Sequence, residues 1–145
     1  MFELYMALGL AVIAANLITG LIGGLAWRAE RISIAFWYLL RIAQAATLVF
    51  VLLEAFLYFD GRRAEDDLHY LYVALPVVAS LLAEAMRGAS ASQELGETDF
   101  TRLDDARQQE VALAIVRRET AVMSVACFVL AFLVWRAIET TTGIF

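Results

Sequence analysis

The chain has 145 residues, a formal net charge of −5 and a mean hydropathy of +0.72, and 62% of its residues are hydrophobic. Soluble domains are roughly 45–50% apolar, so a water-soluble fold of this length is excluded, and the acidic balance without a basic patch excludes nucleic acid as a partner. The basic residues are all Arg, which excludes lysine chemistry, and a single Cys127 beside a single His69 leaves neither an intramolecular disulfide nor a zinc-type metal site.

Four apolar segments read as membrane spans, because about 20 residues at 1.5 Å rise cross the hydrocarbon core. The first covers about residues 4–26 and is closed by Trp27 and Arg28. Its only early charge is Glu3 and its apolar run exceeds that of a signal peptide, so it reads as a retained span. Asn16 sits at mid-depth and is expected to make an interhelical hydrogen bond. Gly20 and Gly24 form a GxxxG pair with Gly23 beside them, which predicts close packing inside the bundle in preference to a dimer seam.

A short charged loop leads into the second span, about residues 34–59. This span carries Arg41, Gln44, Thr47 and Glu54, which at 100° per residue share an arc of about 140°. It is the polar helix of the set and is expected to meet several neighbours. A second charged loop, Asp60 to Asp67, precedes the third span at about residues 68–86. There His69, Pro76, Ser80 and Glu84 lie within about 80° of one another, along one line of the helix. Pro76 removes a backbone N–H and predicts a local kink.

Residues 87–119 form the longest polar segment, expected on the cytoplasmic side. Part of it is helix-like: Phe100, Leu103, Arg107, Val111 and Ala114 share one face from residue 101 onward, and Thr98 or Asp99 is placed to cap it. No Pro or Gly interrupts the sequence from there to Gly143, so a helix running straight into the fourth span, about residues 120–138, is the simpler expectation. Arg117, Thr120, Ser124 and Cys127 share a face at its start, read as an interfacial charge followed by small packing residues.

The seven Arg of the 28–31 and 87–118 segments outnumber the three at residues 62, 63 and 136, which predicts both termini on the non-cytoplasmic side of the cell membrane. Aromatics at the span ends, among them Phe2, Tyr5, Trp27, Phe36, Trp37, Tyr58, Tyr70 and Trp135, match interfacial belts.

A charge in hydrocarbon costs at least about 2.5–3.5 kcal/mol, so intramembrane charges are expected to face inward and pair. Spans 2 and 3 run antiparallel. Counted from the loop that joins them, Arg41 is about 18 residues down one and Glu84 about 16 down the other, which predicts an ion pair. Glu54 and His69 share the opposite layer, which predicts a hydrogen bond or a shared proton. Asp66, three residues before His69, offers that ring an interfacial contact.

The expected architecture is therefore an all-α integral membrane protein, one four-helix bundle with a cytoplasmic helical extension before the fourth span. No GxSxG, HExxH, phosphate loop or CxxC is present, and a lone His supplies no bis-His haem site, so no cofactor is assigned. An enzyme would have only Glu54 with His69 to work with, and two other functions rank ahead of it. One is a non-enzymatic accessory or structural protein whose buried polar pairs serve assembly, with the lipid bilayer, a second copy or a larger membrane complex as partner. The other is a small channel or transporter for protons, ions or a small polar ligand, its path built from Asn16, Arg41, Gln44, Glu54, His69, Ser80 and Glu84.

Overall fold

A computed structural model describes residues 2–95, 103–141 and 144. Among the described residues the chain forms four helices and no strand: α1 (Phe2–Arg28), α2 (Ile34–Phe59), α3 (Leu68–Leu95) and α4 (Asp105–Glu139). All four are long and apolar enough to cross a membrane, and the chain is an all-α, multi-pass, four-helix membrane bundle.

The helix ends follow from local chemistry. After α1, Arg31 N–H reaches Ala26 O at 3.0 Å, with Glu30 in the left-handed region at φ 54°. After α2, Arg62 N–H reaches Leu57 O at 3.0 Å, with Gly61 at φ 85°. Both are the six-to-one closure in which a left-handed residue turns the chain off the helix axis. Ser33 caps α2, its hydroxyl accepting from Phe36 N–H at 3.2 Å.

Two boundaries differ from the sequence expectation. The third helix runs past the expected span end near residue 86 to Leu95, through Gly88 and a run of Ala and Ser with no Pro to stop it. The fourth is a single 35-residue helix, continuous with the expected extension, and it begins at Asp105 with Asp104 as its cap, accepting from Arg107 N–H at 2.9 Å. Thr98 and Asp99, expected to cap it, lie outside the described residues.

The helices pack unevenly. α4 lies along both α1 and α3, and α1 also lies along α2, whereas α2 and α3 touch over little of their length. Small residues of α1 set the closest approach. A Cβ on Gly20 would stand 3.1 Å from the Phe128 ring and 3.2 Å from Ser124 O, and one on Gly23 would overlap Ser124 Oγ and the Phe36 ring. Gly24 faces open space, so the packing pair is Gly20 and Gly23, not the GxxxG pair, because Gly24 is turned away from both neighbours.

Two apolar clusters fill the interior. One joins Tyr5, Phe50 and Leu57 to Val134 and Ala137. The other joins Phe36 and Leu40 to Met123 and Cys127. Tyr5 and Phe36 are thus core residues at 1% and 0% exposure, not belt aromatics. Sequence position at a span end gave the wrong environment because these two rings point toward the bundle axis.

Candidate functional site

Polar side chains form three layers along the bundle. In the first, Glu54 of α2 lies 5% exposed between α1 and α3. Tyr5 Oη donates to Glu54 Oε1, and Glu54 Oε2 is 3.2 Å from His69 Nε2. The other ring nitrogen, His69 Nδ1, is 3.1 Å from Ala137 O and 3.2 Å from Thr140 Oγ1 at the end of α4. All four helices therefore meet at one carboxylate and one imidazole. The His69 ring, fully buried, does not turn to Asp66 as the sequence suggested. Asp66 Oδ1 instead accepts from Leu68 N–H at 2.9 Å and caps the start of α3, leaving the ring to satisfy α4.

The middle layer is Asn16 with Thr47. Asn16 Nδ2 donates to Thr47 Oγ1 at 3.1 Å and to Val12 O at 3.0 Å, while the Thr47 hydroxyl donates to Ala43 O at 2.8 Å. Asn16 Oδ1 is buried without a partner.

The third layer is a chain of four side chains. Gln44 Nε2 donates to Glu84 Oε1 at 2.8 Å, Arg41 Nη1 donates to Gln44 Oε1 at 2.8 Å, and Arg41 Nη1 stands 3.4 Å from Glu84 Oε1. Arg87 Nε closes the other side, donating to Glu84 Oε2 at 2.8 Å. Glu84 thus has two cations and an amide. The layer is not sealed: the Arg41 side chain is 58% exposed and that of Glu84 32%.

Ser80, placed on the same line as His69 and Glu84, is half-buried. It lines a cleft of about 340 Å³ between α2 and α3 together with Arg41, Gln44 and Glu84. A second cleft on the same flank, about 830 Å³, continues from it past Val51 and Val77 toward Tyr58, Arg63 and Tyr70. Glu54 contributes to its wall beside Val and Ala residues, with Arg63 and Asp67 nearer the loop end, and both Glu54 oxygens have partners.

By their hydrogen bonds the candidate residues fall into Glu54–His69, Asn16 with Thr47, and Arg41–Gln44–Glu84, with Ser80 on the wall of the cleft that the last group lines. Sequence reasoning missed Tyr5, Arg87, Thr140 and the Ala137 carbonyl. Arg87 was findable, since an Arg three residues after Glu84 on a helix shares its face. Tyr5 and the α4 terminus were not, because their contacts join distant parts of the chain. No family model, no curated protein and no solved structure matches the chain.

Proposed function

We propose that this chain is a non-enzymatic accessory protein of a membrane assembly, in which the buried polar layers fix the helices of a single membrane domain. The observation that carries this reading is that both oxygens of Glu54 have partners within the chain, Tyr5 at one and His69 at the other. A carboxylate that serves a passing ion needs a free oxygen facing water, whereas one that fixes a bundle has its acceptors occupied from within. In this reading both termini and the 60–67 loop lie on the non-cytoplasmic side, and the long α3–α4 extension lies in the cytoplasm, following the Arg bias. The open α2–α3 flank is the side left for lipid, a second copy or a partner subunit.

One observation favours the transport alternative: the larger α2–α3 cleft reaches Glu54. Reconstitution separates the two. The purified chain in liposomes containing a pH-sensitive dye is expected to give no proton or cation flux above protein-free vesicles under an imposed gradient. Flux that disappears in Glu54→Gln overturns the accessory reading.

A further inference from the structure

The donors and acceptors around His69 do not balance unless a proton is added. A carbonyl oxygen only accepts, so the 3.1 Å contact between His69 Nδ1 and Ala137 O requires hydrogen on Nδ1. That carbonyl lacks its usual helical donor, because Thr141 N–H bonds Ile138 O instead. The nearby Thr140 hydroxyl has acceptors on its own helix, Arg136 O at 3.0 Å and Ala137 O at 3.2 Å, and does not need Nδ1 as one. The carbonyl contact thus favours the Nδ1–H form, and a neutral ring of that form presents a bare lone pair at Nε2.

Nε2 faces Glu54 Oε2 at 3.2 Å. An ionised carboxylate is also acceptor-only. Two lone pairs at hydrogen-bond distance, with the ring at 0% and the carboxylate residue at 5% exposure, have no water to separate them. Tyr5 cannot fill the gap, since its hydroxyl hydrogen is directed to the other oxygen, Oε1. Among the described residues no Arg forms an ion pair with Glu54. The titratable and charged groups around the pair are Tyr5 from α1, Tyr70 of α3 with its ring centroid 5.4 Å from that of His69, and Tyr58, Arg63 and Asp67 on the wall of the cleft that reaches Glu54. At the end of α4 the ring meets the Ala137 carbonyl and the hydroxyl of the capping Thr140.

We propose that Glu54 and His69 together hold one proton between Oε2 and Nε2, bound as an integral ligand of the bundle. Whether it rests on nitrogen or oxygen, the pair is neutral overall and each acceptor has a donor. The C-terminal carbonyls of α4 present the negative end of its dipole to the ring, which favours the proton on nitrogen. The proton then ties α2 to α3 where their backbones scarcely meet, and Nδ1–H ties α3 to α4. This follows from the donor count and holds independently of the accessory role, so a failed flux or partner assay does not bear on it.

Two measurements test it on the full chain in detergent. Since the sequence has one histidine, nitrogen-15 labelling of His gives the spectrum of this ring alone. At about pH 8, where unfolded His and Glu side chains are both unprotonated, the folded protein is expected to show hydrogen on Nδ1 and a proton shared at Nε2. Unfolding in SDS at the same pH then releases that proton, one per chain, into weakly buffered solution. Glu54→Gln is the matching control. Its amide N–H can donate to Nε2 while its carbonyl accepts from Tyr5, so all contacts survive without an added proton. Proton release should fall by one per chain in this variant. Equal release from both proteins overturns the proposal. If Glu54→Gln does not fold, the wild-type ring decides alone: a bare Nε2, or an Nδ1 without hydrogen, overturns it.

Discussion

The contrast between Gly23 and its neighbour Gly24 gives a direct measure of how tightly α1, α2 and α4 are packed. Both are interior helix positions, so Gly→Ala adds the same intrinsic helix preference at each, about 0.5–1 kcal/mol. Their surroundings differ completely. A Cβ on Gly24 meets nothing within 4 Å, whereas one on Gly23 would lie 2.7 Å from Phe36 Cδ2 and overlap Ser124 Oγ. Neither neighbour is free to retreat. Phe36 is 0% exposed, with its ring edge-on to Trp37 at 5.1 Å, and the Ser124 hydroxyl is held to Thr120 O at 2.6 Å. Forcing a methyl into such a site costs about 1–3 kcal/mol. Gly24→Ala should therefore be neutral to stabilising, and Gly23→Ala should fall below it by about 1–3 kcal/mol, a factor of about 5 to 150 in the unfolding equilibrium. The assay is reversible unfolding in mixed detergent and SDS, followed by far-ultraviolet circular dichroism. Adding Ser124→Ala to Gly23→Ala should recover part of the loss. Equal stability of the two glycine variants would refute the close three-helix junction.

The same unfolding assay tests further substitutions at Asn16, at the Arg41–Glu84 pair and at Glu30. Asn16→Leu should change stability by less than about 1 kcal/mol, because it removes an unpartnered buried carbonyl along with two modest hydrogen bonds, and Thr47 keeps its bond to Ala43 O. Asn16→Asp should cost more than about 2 kcal/mol by burying a charge with no cation in reach. Arg41→Leu should cost less than about 1 kcal/mol, since Arg87 and Gln44 still serve Glu84. Glu84→Leu should cost about 1–2 kcal/mol by leaving two guanidinium groups without their counter-charge, and the double change should cost less than the sum of the two. Glu30→Gly should stabilise by up to about 1 kcal/mol, because Glu30 adopts φ 54° while its pair with Arg117 is exposed and weak; a loss of stability there would mean that the pair outweighs the backbone strain.

The membrane class, the number of helices and the depth-matched polar residues are all properties that sequence alone determines here. Twenty-residue apolar runs have one stable outcome in a bilayer, since every backbone group must bond within its own helix. Depth also follows from sequence, because each residue advances the helix by a fixed rise; counting from a short turn therefore placed Arg41 beside Glu84 and Glu54 beside His69. Rotation about the helix axis and the choice of neighbour were not legible in that way. Gly24 resembles Gly23 in the sequence, and Tyr5 resembles any interfacial tyrosine; only packing turned Gly24 outward and Tyr5 onto Glu54. The order of helices around the bundle was likewise a tertiary outcome, with α1 and α4 joined by small residues and α2 held apart from α3. That arrangement explains why the polar pairs of the α2–α3 hairpin matter: their side chains span a gap that the two backbones do not close. The proton assigned to Glu54 and His69 belongs to the same category, since it was set by the Ala137 carbonyl 68 residues away in the chain.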